Sequence, residues 1–184
     1  MVHLVVGLVG LMRHGKSSAA ATLVAECGFQ EQAFASGLKE ACRTIFLLSE
    51  DQLYGTDAKE RVDPRWGVSP RQLLQTVGTE LLRKELPRVL PHLHPESLWC
   101  HRFRLWLESQ PADRRVVLSD VRFADEVQML RSLDAQVVLI RVVRPTAGLV
   151  ASTHAASLAC DLEWHNDGTL EDLRNKVLDW WRQH

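Results

Sequence analysis

Gly10 and Gly15 enclose four residues, and Lys16, Ser17 and Ser18 follow at once, all within eighteen residues of the N-terminus. Glycines at those two places free the backbone to wrap, so that successive N–H groups converge on one point. A lysine directly after the second glycine brings a positive charge to the same point, and the Ser17 hydroxyl is a hard oxygen donor. The spacing Gly-x-x-x-x-Gly-Lys-Ser matches the Walker A phosphate loop without exception. With glycine at about 7% of residues, a chance match is expected in under about 1% of chains of this length. The chemistry implied is the binding of ATP with Mg2+, the phosphates lying on the N-terminus of the helix that follows.

Three further constellations bear on what is done with the phosphates. In "SPRQLLQTVGTELLR", Arg71, Gln75 and Gly78–Thr79 recur at helical spacing, on the face away from Leu73, Val77 and Leu81. A cation, an amide, a gap in bulk and a hydroxyl on one face suit a phosphorylated ligand bearing a base, and a solvated surface would use the same pattern. In "VVLSDVRFADE", Asp120 ends a buried strand, where α/β sheets place their ligands, and Arg122 and Glu126 follow at i, i+4. An ordinary ion pair uses that spacing too. In a catalytic reading, Asp120 holds the waters of a magnesium ion and Arg122 grips phosphate with its planar fork. Arg144 lies just past the last long strand, before a flexible-looking stretch and Asn166-Asp167-Gly168. An arginine beside the transferred group and a lid that excludes water are what phosphoryl transfer asks for.

The elements that must position these groups follow from periodicity. Residues 3 to 9 are apolar on both faces, as a buried parallel strand requires. "SSAAATLVAECG" reads as a helix stopped by Gly28, residues 37 to 48 as another, and residues 55 to 70 as an exposed loop. Helices are expected over 70 to 86, 96 to 108 and 122 to 133, with strands at "RRVVLSD" and "AQVVLIRVV". Thr169-x-x-Asp172 opens a final helix whose apolar series is Leu170, Leu173, Val177 and Trp180. Apolar strands alternating with helices predict an α/β fold, a parallel sheet covered on both faces.

Composition narrows the partners. The chain has 184 residues, 46% of them hydrophobic, which suits one domain with its own core. Twenty-two basic and 23 acidic residues give a net charge of −1, with no long-range pull toward nucleic acid or membrane. Cys27, Cys42, Cys100 and Cys160 show no CxxC spacing, and no secretory leader is visible. Free thiols in a soluble, cytoplasmic protein are the expectation. His92, His94, Cys100 and His101 fit no standard zinc spacing and read as a proline-rich turn into a helix.

The ordered run of "GLMRHGKSS", "FASGLKEACRTIF", "WGVSPRQLLQTVGTELLR", "LWCHRF", "VVLSDVRFADEV", "VVRP", "STH" and "HNDGTLEDL" resembles the bacteriophage-type deoxynucleoside monophosphate kinases over nearly the whole chain. The resemblance implies a three-layer P-loop kinase fold in one domain, with an acceptor-binding helical region at about 37–110 and a short lid at about 145–165. It implies transfer of the ATP γ-phosphate to a deoxynucleoside monophosphate (dNMP), giving dNDP and ADP, by a phage- or virus-encoded enzyme acting in host cytoplasm. Gly10, Gly15, Lys16, Ser17 and Ser18 would hold ATP phosphates and magnesium, Ser17 directly and Asp120 through water. Arg13, Lys39, Arg71, Gly78, Thr79, Trp99, Asp120, Arg122, Glu126 and His154 would receive the acceptor. Thr153, His154 and Arg144 would belong to the lid and its approach, and Asn166 to Thr169, Gly168 among them, would lie near the donor adenine. The cations Arg13, Lys16, Arg71, Arg122 and Arg144 would let two anionic phosphates approach. Monomer and homodimer are both compatible with the sequence.

The chain departs from that family at Met12, where a second basic residue is common, and at Ser17, where aspartate is. It departs again at Ser157, which stands where the lid usually carries glutamate. Two other readings share the phosphate loop. One is a kinase of another small phosphate monoester, such as the animal-type phosphomevalonate kinases, and the other a catalytically silent nucleotide-binding module. "PRQLLQTVGTE" argues against the first, and intact Lys16, Ser17, Asp120 and Arg122 against the second.

Overall fold

A computed structural model describes residues 3–93, 97–145 and 157–183. In chain order the elements are β1 (His3–Val9), α1 (Lys16–Cys27), β2 (Gln30–Gln32), α2 (Ser36–Phe46), α3 (Glu50–Tyr54), α4 (Asp57–Glu60), α5 (Pro70–Gln75), a π-helical segment (Thr76–Glu85), α6 (Leu86–Val89), α7 (Leu98–Glu108), β3 (Arg115–Val121), α8 (Ala124–Arg131), β4 (Ala135–Val143), β5 (Leu162–His165) and α9 (Leu170–Arg182). The chain forms two units, one from residues 1–34 and 102–184, the other from 35–101.

The first unit is a parallel sheet in the order β2-β3-β1-β4-β5. The most apolar strand, β1, takes the centre, pairing with β3 on one side and β4 on the other. Side chains of successive strand residues go to opposite faces. Val6 and Leu8 join Val117, Ile140 and Val142 in a core with Leu23 of α1 and Leu173, Val177 and Trp180 of α9. On the other face a Cβ at Gly7 would lie 2.5 Å from Leu139 Cδ2 and 3.5 Å from Leu130 Cδ1 of α8, so these side chains pack directly against the strand backbone. Helices cover both faces, and the expected α/β architecture stands.

Two strands are absent from the pattern reading. The three residues of β2 alternate too briefly to register. β5, "LEWH", occupies residues 162–165 of the region expected as a lid, so the sheet, bonded through β4, takes the end of that segment. In α9 the Thr169 hydroxyl accepts from Asp172 N at 3.2 Å and Asp172 Oδ2 accepts from Thr169 N at 2.7 Å, the capping box its sequence predicts. Leu170 departs from the expected apolar series and is 70% exposed, because the first helical position turns away from the core. All four cysteines are free thiols.

The second unit is helical. Its longest helical stretch begins at α5 with Ser69 Oγ capping Gln72 N and Pro70 at the first position, then changes to π-type hydrogen bonding from Thr76. Pro70, Leu74 and Gly78 form the buried line, not Leu73, Val77 and Leu81, and Leu81 is half exposed. Both lines repeat every four residues, so periodicity cannot choose between them. The close packing decides: a Cβ on Gly78 would stand 2.5 Å from Leu38 Cδ2 of α2. The loop before α5, expected to be plain surface, contains α4 and an ordered turn built on Asp63. That buried carboxylate accepts from Gln52 Nε2 at 2.8 Å, from Arg65 N at 3.0 Å and from the Arg65 guanidinium, while the Trp66 indole donates to Phe46 O at 2.8 Å.

Candidate active site

The parallel sheet sets the carboxyl ends of β1, β3 and β4 side by side, with Val9 opposite both Val121 and Arg141. The phosphate loop leaves β1 at that edge. Gly10 (φ 148°) passes so close to β4 that a Cβ would stand 2.4 Å from Val142 O. Arg13 adopts a left-handed φ of 68°, and Gly15 (φ 103°) forms the N-cap of α1. That end of α1 has no side-chain cap bond and no acidic residue in its first turn. Its N–H groups are left to an anion, and the helix dipole favours one there.

Lys16 donates to Gly10 O and Leu11 O, both at 2.7 Å, which closes the loop upon itself. Its pKa is pushed down to about 8, by burial first and by the positive charge of Arg122 second, with Asp120 opposing. Those influences mark Lys16, Asp120 and Arg122 as one electrostatic cluster. Asp120 Oδ1 accepts from Phe34 N at 2.8 Å. Arg122 is exposed, as are Arg13, Ser17 and Arg144, the last one residue beyond β4; Ser18 is half-buried.

Glu126, expected among the acceptor ligands, is 2% exposed, and its Oε2 accepts from Arg122 N at 2.7 Å and Phe123 N at 3.0 Å. Its carboxylate caps α8 and fixes the turn that carries Arg122. Asn166, expected near the adenine, is buried, and its Nδ2 donates to His14 O at 3.0 Å. Its own N–H donates to Val143 O at 2.7 Å. A Cβ at Gly15 would meet that Asn166 Nδ2 at 2.4 Å. Gly168 lies exposed just before the N-cap of α9.

The expected acceptor residues of the 35–101 unit divide. Lys39 Nζ stands 4.0 Å over the Tyr54 ring, and the Arg71 guanidinium pairs with Glu60. Both are partly accessible, as is Thr79. Gly78 and Trp99 are both buried, and the Trp99 indole donates to Gly78 O at 3.3 Å. Thr153 and His154 lie outside the described residues.

Two residues that build the site escape the sequence reading. His14 is 8% exposed and its Nδ1 lies 3.2 Å from Val142 O, tying the loop to β4. It occupies one of the unrestricted positions of the motif, where no pattern constrains it. Phe34 acts through its backbone N–H, which side-chain type does not report.

No family model matches the chain. The crystal structure of TT1252 from Thermus thermophilus superposes with a TM-score of 0.53 at 18% identity, covering 100% of this chain and 98% of that one, and so shares the fold. A dephospho-CoA kinase from Campylobacter jejuni aligns over 98% of this chain and 97% of its own with a TM-score of 0.47 and 10% identity. By sequence, the chain is 38% identical over 185 residues to a protein of Acanthamoeba polyphaga mimivirus named "Putative deoxynucleotide monophosphate kinase", covering 94% of this chain and 93% of that protein. Identity at that level across almost the full length of both proteins shows that the chain belongs to the deoxynucleotide monophosphate kinase family.

Proposed function

We propose that this protein transfers the γ-phosphate of MgATP to a deoxynucleoside monophosphate, releasing ADP and the deoxynucleoside diphosphate. The observation that carries the reading is the cluster of Lys16, Asp120 and Arg122 beside an anion-ready helix N-terminus, at the carboxyl edge of the sheet. An oxygen of the acceptor phosphate attacks the γ-phosphorus, the bond from that phosphorus to the β-bridging oxygen breaks, and ADP leaves with the electron pair. A phosphate monoester loses its second proton near pH 6 and is already anionic at neutral pH, so no general base is required. Repulsion between approaching unit charges is about 4 kcal/mol at 4 Å and an effective dielectric of 20. Lys16, Arg13, Arg122 and Arg144 offset that repulsion at the phosphate loop and the strand ends beside it. Arg71 and Lys39 are proposed as ligands of the acceptor. Glu126 and Asn166 contribute by holding the Arg122 turn and the phosphate loop.

The donors available suit magnesium, a hard ion that prefers oxygen. The Ser17 hydroxyl would bind it directly and Asp120 through water. When bound, the ion neutralises charge on the β- and γ-phosphates. The 35–101 unit is proposed as the acceptor-binding region and the segment from Pro145 toward β5 as the lid.

The test is ADP release with MgATP and, separately, dGMP, dTMP, dCMP, dAMP, GMP and phosphomevalonate, with products identified by chromatography. Turnover of one or more dNMPs is expected. Arg71→Ala should lower kcat/KM for that acceptor about 10- to 100-fold, as loss of a charge-assisted phosphate contact does. Turnover of phosphomevalonate alone, or of no acceptor by a chain that binds ATP, would sink the reading.

A further inference from the structure

We infer that Asp120 is a positioning residue for Phe34, its carboxylate anchoring the backbone at the residue after which the chain enters residues 35–101. The inference rests on the reading of that unit as the acceptor region.

Phe34 is the last residue of the first unit before the chain enters the second, and Arg102 is the first after it returns. Phe34 N donates to Asp120 Oδ1 at 2.8 Å. Its ring, buried, packs edge-on against that of Phe103, also buried, with centroids 5.6 Å apart. The residues flanking the two crossings therefore touch, and one of them is held by a carboxylate that also acts on Lys16. Helix α2 starts one residue later from Ala35, whose side chain cannot cap it.

A backbone N–H donated to a carboxylate is a charge-assisted bond, roughly twice as strong as a neutral one. An ionised carboxylate accepts at about four lone-pair positions, more than the one bond to Phe34 N takes up. One side chain thus acts on Lys16 and holds the backbone at Phe34. This sets it apart from an acid whose whole role lies in the ATP site. Loss of the anchor releases the Phe34 backbone while the phosphate loop keeps its own bonds through Lys16, His14 and Asn166.

Two variants separate the roles. Asp120→Asn keeps an oxygen that accepts from Phe34 N and removes the charge, and Asp120→Ala removes both. Both should lower kcat. Only Asp120→Ala should raise the KM for the dNMP, by about tenfold, and only there should the Phe34 amide lose protection from hydrogen exchange. Equal acceptor KM in the two variants, or a Phe34 amide equally protected in Asp120→Ala and the unchanged protein, would overturn the inference. If Asp120→Ala does not fold, Asp120→Ser, polar but too short to reach Phe34, takes its place with the same criteria. Exchange is measured without acceptor, so it decides the anchor even if no dNMP is turned over. Absence of turnover in the unchanged protein would overturn the acceptor reading separately.

Discussion

Lys16 shows how one residue can be matched to a ligand that the fold alone does not contain. Burial and Arg122 bring its pKa down to about 8 from 10.5 in the unfolded chain. Between those values the unfolded chain binds more protons than the folded one, so the nucleotide-free protein gains stability as pH rises through that window. Polyphosphate favours the charged ammonium, so binding must take up a proton wherever Lys16 has lost one, and affinity falls as pH rises past about 8. Calorimetric titration of MgATP in two buffers of different ionisation enthalpy should find almost no uptake near pH 7 and about three-quarters of a proton near pH 8.5. Arg122→Ala, by removing the second cause of the lowered pKa, should reduce uptake at the higher pH. Unchanged uptake would mean that Arg122 does not govern Lys16.

At the scale of elements, the phosphate loop is held from outside its own motif. β4 supplies Val142 O to His14, and the segment between β5 and α9 supplies Asn166 to His14 O and against Gly15. Asn166→Ala leaves a buried carbonyl without that donor, a loss of about 1–3 kcal/mol. The expected outcome is a KM for ATP raised by about tenfold or more, with KM for the acceptor nearly unchanged. Steady-state kinetics varying each substrate in turn check it. A rise confined to the acceptor would contradict the clamp.

At the scale of the molecule, the first unit joins both ends of the chain through parallel pairings that bring distant segments together. Its stability depends on closing α9 over the sheet. Trp180 of α9 is 7% exposed and meets Trp164 of β5 edge-on at 5.8 Å, and Trp181 meets Phe29 at 5.3 Å. Trp180→Ala should cost about 3–5 kcal/mol and lower the melting temperature by about 6–20 °C, read from a thermal unfolding curve. A shift below about 2 °C would show that α9 contributes little to the core. Among the described residues no helix is long and apolar enough to cross a membrane.

Features whose cause is local were legible in the amino-acid order. The phosphate loop, the capping box at Thr169 and Asp172, and the central strands each depend on residues within a few positions of one another. So does the placing of Asp120 and Arg122 at a strand end, since strand and charge are neighbours in the chain. Tertiary structure alone decided which of two equally spaced lines along α5 and the π-helical segment after it faces inward, because the answer lies in the room that Gly78 leaves for Leu38 of another helix. It decided that "LEWH" is a strand, since an edge strand is defined by the partner that bonds to it. It showed that Trp99, Glu126 and Asn166 each make hydrogen bonds to backbone atoms that spacing does not identify. A motif records which side chains a ligand needs, whereas a backbone N–H or C=O is the same at every residue, and only the folded chain shows which of them a side chain reaches.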